Sequence, residues 1–120
     1  MTGIEARAAF LAWLRDERGS SPHTIEAYGR DTAEFLFFLT GHLGEEPTVA
    51  ALGELRPADL RAFLAARAAE GDGAATRARK LAAVRGFLRY LIRRHGLPQI
   101  ALAGLRGPRP KPPVPRALTP

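Results

Sequence analysis

Apolar residues recur every three or four positions in several segments of the chain, which is the spacing of amphipathic helices. The first segment covers residues 4–18 and stops at Gly19, a residue type that commonly follows the last turn of a helix. Its apolar positions are Ile4, Ala8, Leu11, Trp13 and Leu14. This pattern predicts a helix that buries one face.

The second segment carries signals for both ends of a helix. Ser21 and Pro22 are residue types that favour the N-cap and the first helical position, and Gly41 is a natural stop. The predicted helix therefore covers residues 22–40, although Gly29 inside it costs about 1 kcal/mol relative to alanine. Its apolar stripe contains Ile25, Tyr28, Phe35, Leu36 and Leu39, with Thr32 between them.

The third helix is predicted to begin at Pro57 and to end at Gly71, with Asp59 placed where it suits the positive end of the helix dipole. Arg56 stands at the N-cap, where Ser, Thr or Asp is preferred, so the first turn is poorly capped. Residues 41–56, which precede this helix, contain glycine, proline and acids around a short apolar turn. We expect them to form a loop.

The fourth helix, residues 74–95, has the clearest division into faces. At about 100° per residue, one arc of this helix is apolar. That arc contains Leu81, Val84, Leu88, Leu91 and Ile92. No strand pattern occurs in the chain, and each helix must bury its stripe against the others. The sequence therefore predicts an all-α fold, a small bundle of four main helices.

A second arc of the fourth helix alternates long cations with small residues. The cations are Arg79, Arg89 and Arg93, and the small residues on the same arc are Ala75, Ala78, Ala82 and Gly86. Residues 76–94 contain seven Lys or Arg and no acid, whereas an ordinary solvated face mixes Glu with Lys. Two interpretations stay open at this point. The face could approach a polyanion closely, or the small residues could pack on a neighbouring helix while the arginines are solvated.

Arg85 differs from these cations because it lies at the edge of the apolar arc. A cation in that position is better suited to pairing with an acid than to reaching a ligand. The second helix offers Asp31 and Glu34 as partners. We expect a structural ion pair between Asp31 and Arg85.

The distribution of charge points to an anionic partner for one end of the chain. Residues 1–72 carry seven basic and twelve acidic residues, whereas residues 73–120 carry eleven basic residues and no acid. Such asymmetry favours nucleic acid over a membrane surface as the partner. A solvated basic tail is the alternative.

Length and composition indicate one domain followed by a linker. Residues 1–105 suit a single helical domain, and residues 106–120 hold six prolines and four basic residues, which favours an extended, charged linker. The closing Thr-Pro resembles the start of another helix, as if the chain were cut at a domain boundary. The sequence has no cysteine, no apolar run long enough to span a membrane and no signal-peptide pattern, so we expect a cytoplasmic protein without a membrane partner.

Catalytic, metal and cofactor chemistry have little support in the sequence. The chain lacks a nucleophile with a supporting base and a glycine-rich phosphate loop, so no catalytic residue and no cofactor are expected. His23, His42 and His95 are far apart without supporting carboxylates, so no metal site is expected. Tyr28 lies on an apolar stripe, which favours core packing over a role as a nucleophile.

The start of the second helix is a candidate docking point for a phosphate. Free backbone N–H groups, the hydroxyls of Ser21 and Thr24, and the ring of His23 would face an anion there. Simple N-capping explains Ser21 without any ligand.

Three segments of the chain together resemble a known family. They are SPHTIEAYGRDTAEFLFFL (residues 21–39), LRPADLRAFLAARAAEG (55–71) and ATRARKLAAVRGFLRYLIRRHGL (75–97). The positions that carry the resemblance are Ser21, Thr24, Tyr28, Asp31, Phe35 and Leu39, followed by Arg79, Lys80, Leu81, Arg85, Phe87 and Leu91. They are similar to the N-terminal core-binding domain, of SAM-like and phage-integrase type, of Xer-like tyrosine recombinases.

The resemblance implies a small orthogonal bundle that forms half of a clamp around double-stranded DNA, with the second and fourth helices in the major groove. It also implies a catalytic domain in cis after the linker, other recombinase protomers on the DNA, and a role in DNA recombination or integration that includes chromosome dimer resolution. The catalytic set of that family belongs to the second domain. The 120 residues by themselves are therefore not expected to be an enzyme.

The DNA contacts that follow from the resemblance and from the basic face are Ser21, His23, Thr24, Thr76, Arg77, Arg79, Lys80, Arg89 and Arg93. Arg79 is the best candidate for reading a base edge, because arginine can pair bidentately with guanine. Arg89 and Arg93 are candidates for phosphate contacts. The alternatives are a helical protein-interaction module that docks an acidic partner and an RNA-binding module.

Overall fold

Five helices make up residues 1–98, the part of the chain that the computed structural model describes. They are α1 (Gly3–Asp16), α2 (Pro22–Leu43), α3 (Val49–Gly53), α4 (Pro57–Ala69) and α5 (Ala74–His95). The predicted all-α bundle of four main helices is confirmed: α1 packs on α2, and α5 lies against α1, α2 and α4. The predicted linker, residues 106–120, lies outside the described residues. Within residues 1–98, no helix combines the length and the apolar character that crossing a membrane requires.

The buried face of α1 differs from the predicted stripe. Ala6, Phe10 and Leu14 are buried, whereas Ile4 is 53% exposed and Ala8 is also exposed. Because a helix turns about 100° per residue, Ile4 and Ala8 each lie roughly 200° from the next buried residue of this face. Burial of the large Phe10 ring therefore turns both residues toward solvent.

α2 starts as predicted but ends later. Its last turn runs past Gly41, and Gly44 follows it with a left-handed backbone at φ 89°. Two contacts hold this turn: the ring of His42 stacks on Phe38 of the same helix, and its Nε2 lies 2.9 Å from a carboxylate oxygen of Asp59 on α4. A contact with a neighbouring helix thus stabilises the last turn of α2, which the sequence pattern does not predict.

The predicted loop at residues 41–56 contains the short helix α3, so this prediction was wrong in part. The side chain of Thr48 accepts a hydrogen bond from the Ala51 N–H at 3.1 Å and caps the helix. Leu52 is buried, and the Val49 N–H donates to the carbonyl of Met1 at 3.0 Å. Five residues are too few to show a helical period, so packing reveals what the pattern does not.

α4 begins at Pro57 as predicted, despite the arginine at its N-cap. A carboxylate oxygen of Asp59 accepts a hydrogen bond from the Arg56 N–H at 2.8 Å, which satisfies one donor of the helix start. Burial raises the pKa of the Asp59 carboxyl, but the hydrogen bonds from the Arg56 N–H and from His42 outweigh that effect, so the pKa is lowered.

The core is built around four fully buried phenylalanines. They are Phe10, Phe35, Phe63 and Phe87. The ring centroid of Phe10 lies 5.4 Å from that of Phe87 and 5.4 Å from that of Tyr90, which joins α1 to α5. Phe35 meets Phe63 edge to face at 5.2 Å, which joins α2 to α4. Because Phe10 also contacts Tyr28 of α2 edge to face at 5.6 Å, aromatic contacts link all four main helices.

Gly29 has a packing role that offsets its low helix propensity. The Nε and Nη2 of Arg7 on α1 donate to the Gly29 carbonyl at 3.0 and 2.8 Å. A Cβ at position 29 would lie 3.2 Å from Arg7 Nη2 and 3.4 Å from Leu11 Cδ1. The absence of a side chain thus lets α1 lie close to α2.

A chain of ion pairs fastens α5 to its neighbours. The Lys80 ammonium lies 2.6 Å from the Asp72 carboxylate and 2.8 Å from that of Glu34 on α2. The second oxygen of Glu34 accepts a hydrogen bond from Arg67 Nη1 of α4 at 2.8 Å. Burial lowers the pKa of Lys80, but its hydrogen bonds with Asp72 and Glu34 outweigh burial, so the pKa is raised above its usual 10.5. We call Glu34, Arg67, Asp72 and Lys80 the ion-pair cluster.

Replacement of Lys80 by methionine should destabilise the fold. The Lys80 side chain is only 10% exposed, and its removal leaves two partly buried carboxylates without their shared cation. We expect Lys80→Met to lower the free energy of unfolding by about 2 kcal/mol, measured by urea denaturation. The control is Arg15→Met, because Arg15 pairs with Asp16 on the open surface, where ion pairs contribute little. Equal stability of the two variants would contradict a structural role for Lys80.

The ion-pair cluster should also give a defined pH dependence. The hydrogen bond from Lys80 lowers the pKa of Asp72 below its ordinary 3.8 in the folded state, so this stabilisation is full above that value. It is lost as the pH falls through the lower folded pKa. The difference in unfolding free energy between wild type and Asp72→Asn should therefore be constant between about pH 5 and 9 and shrink at more acid pH.

The matched control for this titration is Glu70→Gln, which neutralises an exposed carboxylate two residues away. Within residues 1–98, Glu70 takes part in no ion pair. The difference in unfolding free energy between wild type and Glu70→Gln should stay small and should not change with pH as Asp72 titrates. If the difference in unfolding free energy between wild type and Asp72→Asn stays unchanged in strong acid, the charge of the carboxylate is not what stabilises the fold.

Candidate nucleic-acid interface

Two cavities open side by side between α2 and α5. The smaller has a volume of about 230 Å³ and is lined by His23, Asp31 and Arg79 among others. The larger, of about 450 Å³, continues toward the end of α5 and is lined by Arg89 and Arg93 together with aromatic residues of α1. Thr24, Tyr28 and Ala82 line both cavities. The two therefore form one continuous surface, which we call the α2–α5 groove.

Small residues of α5 form the floor of the groove. A Cβ at Gly86 would lie 3.4 Å from the Tyr28 ring, so α5 approaches α2 closely at this point. Gly86 is half-buried, but Ala75 and Ala82 are exposed. The interpretation that the small residues pack on a neighbouring helix thus holds for Gly86. Ala82 instead leaves open space between the exposed arginines.

The start of α2 carries three of the predicted contact residues, of which His23 and Thr24 line the groove. Ser21, His23 and Thr24 are all exposed, and Thr24 lines both cavities. The Ser21 hydroxyl accepts from the Thr24 N–H at 3.1 Å and lies 3.0 Å from the Thr24 hydroxyl. The predicted N-capping by Ser21 is confirmed.

Three arginines follow one another along α5 on the groove side. Arg79, Arg89 and Arg93 are exposed, and the positions from 79 to 93 extend over about 21 Å of the helix. Asp31 pairs with Arg79. Arg89 and Arg93 take part in no ion pair within residues 1–98. Two guanidinium groups of the groove are thus available to an anion.

The ion pair of Asp31 is formed with a different arginine from the one predicted. Arg79 Nη2 donates to Asp31 Oδ1 at 3.0 Å, and Arg79 Nε donates to Oδ2 at 3.3 Å. The position of Arg85 at the edge of the apolar arc had predicted Arg85 as the partner of this carboxylate. Six residues along a helix correspond to a turn of roughly 240°, so Arg79 and Arg85 project to different sides of α5. The structure replaces the predicted Asp31–Arg85 pair by an Asp31–Arg79 pair.

Three other predicted contacts lie outside the groove. Lys80 is buried in the ion-pair cluster, because helix packing brings two carboxylates to its ammonium group. Arg77 is half-buried and donates to the carbonyl of Asp72 at 2.6 Å, so it braces the turn before α5. Thr76 is also half-buried. The prediction that these residues face a ligand alongside Arg79 does not agree with this geometry.

The larger cavity includes residues of α1 and its C-terminal turn that the sequence pattern did not indicate as contacts. Arg18 lies over the Trp13 ring, with 5.4 Å between the guanidinium carbon and the ring centroid. Arg94 lies over Tyr90 in a similar way at 5.9 Å and pairs with Glu17 at 2.9 Å. Aromatic faces and cations therefore meet at this end of the groove. In the sequence, a tryptophan and an arginine five positions apart form no pattern that predicts a binding site.

The described part of the chain shows where the candidate metal ligands and the two tyrosines lie. Within residues 1–98, no three His, Asp or Glu side chains come together in a way that could hold a metal ion. Tyr28 packs edge to face on Phe10 at 5.6 Å, and Tyr90 is 8% exposed within the core. What the groove offers is a set of hydrogen-bond donors and positive charge.

Comparisons with known proteins show what the chain is similar to. A family described as "Phage integrase, N-terminal SAM-like domain" matches residues 8–95. Tyrosine recombinase XerC of Mesorhizobium japonicum is 50% identical over 114 residues, which is 95% of this chain and 36% of that protein. The XerC proteins of Rhizobium meliloti and Agrobacterium fabrum are 51% and 40% identical, over 94% and 97% of this chain.

No solved structure matches the chain significantly. The chain spans about a third of the length of the relatives it matches. The family match nevertheless covers most of the chain, and it includes every residue of the α2–α5 groove. The resemblance inferred from three short segments is confirmed: the chain belongs to the phage integrase N-terminal SAM-like domain family and is homologous to the N-terminal region of XerC tyrosine recombinases.

Proposed function

We propose that this chain binds double-stranded DNA through the α2–α5 groove, as the core-binding part of a site-specific recombinase. The observation that carries the proposal is the row of exposed arginines, Arg79, Arg89 and Arg93, along one side of α5. The start of α2 meets the same groove with His23 and Thr24. Backbone N–H groups at a helix start and arginines along a helix are both suited to phosphate oxygens.

The placement of the acids supports the same proposal. Glu34 and Asp72 form ion pairs within the ion-pair cluster, and Asp31 is buried beneath Arg79. Their charges are therefore neutralised at short range by cations of the same domain. The positive charge of Arg89 and Arg93 has no such partner within residues 1–98. A polyanion that approaches the groove meets net positive charge.

Each group in the groove has a specific proposed role. Arg89 and Arg93 contact phosphates, which supply affinity without sequence information. The start of α2, with Ser21, His23 and Thr24, contacts a further phosphate. Arg79 contacts a base edge in the major groove. Thr76, Arg77 and Lys80 do not belong to the proposed interface. Lys80 is buried in the ion-pair cluster, Arg77 donates to the Asp72 carbonyl, and Thr76 is half-buried outside the groove.

The relatives, which are named as tyrosine recombinases, support a wider role. We propose that this domain forms one half of a clamp on the recombination site, with a catalytic domain in cis on the opposite face of the duplex. Other protomers of the recombinase would bind the same DNA. Strand cleavage would belong to the catalytic domain, and the DNA partner implies a cytoplasmic location. A domain that acts as half of a clamp should bind more weakly alone than when it is linked to its other half.

Salt dependence tests the proposed phosphate contacts. Affinity for a DNA duplex should fall steeply as salt rises, and Arg93→Ala should weaken binding to every duplex alike. The slope of log K against log salt should become shallower by about 0.9, because one phosphate contact is lost. Fluorescence anisotropy with a labelled duplex over a series of salt concentrations measures both quantities.

The matched control is Arg61→Ala, which removes an exposed arginine of α4 that lines neither cavity of the groove. This variant should keep nearly the wild-type slope. A structured RNA hairpin serves as competitor. If the hairpin competes as well as the duplex, or if Arg61→Ala and Arg93→Ala change the slope equally, binding of double-stranded DNA through this groove is refuted.

A further inference from the structure

Asp31 is a buried acid in a groove that is proposed to bind an anion. Its side chain is only 4% exposed, whereas that of its partner Arg79 is 51% exposed. An unpaired carboxylate near a phosphate backbone would repel the DNA, and a buried one must be compensated by a partner. Arg79 provides this compensation with two hydrogen bonds to the two carboxylate oxygens.

The geometry of this pair fixes which part of Arg79 remains available. Arginine carries N–H donors along two edges, one formed by Nε and Nη2 and the other formed by Nη1 and Nη2. Asp31 occupies the edge of Nε and Nη2. The edge of Nη1 and Nη2 then points away from the carboxylate. That edge has two roughly parallel donors, which match the paired acceptors O6 and N7 of guanine.

The surroundings of Arg79 leave room for a base edge. Arg79 lines the smaller cavity together with Thr24, Ala27 and Ala82, whose side chains are short. A long side chain at position 82 would stand beside the guanidinium group and obstruct the approach of a base pair. The alanine keeps the outer edge of Arg79 accessible.

The charge of the pair distinguishes Arg79 from the other arginines of the groove. Arg79 and Asp31 together carry no net charge, so their long-range attraction for phosphate is weak. Arg89 and Arg93 keep their full charge. A neutral pair with a directed fork of donors is better suited to a neutral base than to a phosphate.

We propose that Asp31 is a positioning residue that holds Arg79 in the orientation in which its outer edge pairs with a guanine in the major groove. The inference rests on the proposed function and deepens it, because it assigns both the base and the residue that sets the specificity. Asp31 itself makes no contact with the base. Its effect passes through the two hydrogen bonds to Arg79.

The test begins with selection of bound sequences from a duplex library with a randomised centre, using the whole chain. Wild type should enrich a motif that contains a guanine, and Arg79→Ala should lose the preference at that position. Asp31→Asn should lose the same preference, with the ratio of specific to non-specific affinity reduced by at least about fivefold. Non-specific affinity should not fall, because a negative charge has been removed from the groove.

A modified base separates positioning from general stability. Replacement of the selected guanine by 7-deazaguanine removes the N7 acceptor and should weaken wild-type binding, but it should leave Asp31→Asn binding unchanged. In an Arg79→Ala background, Asp31→Asn should have no further effect on the specificity ratio. The control is Asp16→Asn, the same substitution in an exposed ion pair, which should keep the guanine preference.

Stability is checked by thermal denaturation of every variant. If Asp31→Asn does not fold at the assay temperature, Asp31→Glu takes its place, since it keeps the charge and moves the carboxylate by one methylene. The displaced carboxylate should reorient Arg79 and lower the specificity ratio in the same way.

Two results would overturn the inference while leaving the proposed function intact. One is a folded Asp31→Asn that keeps the guanine preference, and the other is a 7-deazaguanine effect of equal size in wild type and Asp31→Asn. The proposed function fails separately, and it fails if wild type shows no salt-dependent binding to any duplex.

Discussion

The pairing of cations on α5 with acids on its neighbours is the interaction on which the structure and its proposed function both depend. The stretch from residue 76 to residue 94 has seven basic side chains and no acid, so every compensating carboxylate comes from elsewhere in the chain. Glu34 and Asp72 bind Lys80, and Asp31 binds Arg79. Helix packing therefore sorts the charges of one helix into structural cations and cations that face outward.

Close packing of α2 on its neighbours makes this sorting possible. Gly29 lets α1 approach α2, and Gly86 lets α5 approach the ring of Tyr28. Such short distances bring Asp31 and Glu34 within reach of α5 and shape the floor of the α2–α5 groove. The same geometry that buries the aromatic core thus creates a concave, basic surface beside it. A longer separation between the helices would leave the acids exposed in the groove, where they would oppose an anionic partner.

Much of the fold could be predicted because helix signals are local. Ser21 with Pro22 marked the start of α2, and the periodic apolar residues identified all four main helices. The predictions failed where a contact between elements decides the outcome. The last turn of α2 was missed because the contact that holds it, between His42 and Asp59, joins two different helices. The short helix α3 was missed because five residues are too few to show a helical period. Ile4 was assigned to the core, but the burial of Phe10 determines which face of α1 turns inward.

For the candidate site, the sequence by itself determined the residue types: a helix with many arginines, small residues between them, and a capped helix start that belongs to the same recombinase family. Its amphipathic period also identified Leu81, Val84, Leu88 and Leu91 as core residues of α5, but it included the half-buried Ile92 and missed the buried rings of Phe87 and Tyr90. Only the tertiary structure decided which cation serves which purpose. In the tertiary structure Lys80 is buried against two carboxylates, and Asp31 pairs with Arg79 and not with Arg85. The physical reason is that an ion pair depends on the distance between two helices, and the spacing of residues along one helix does not contain that distance.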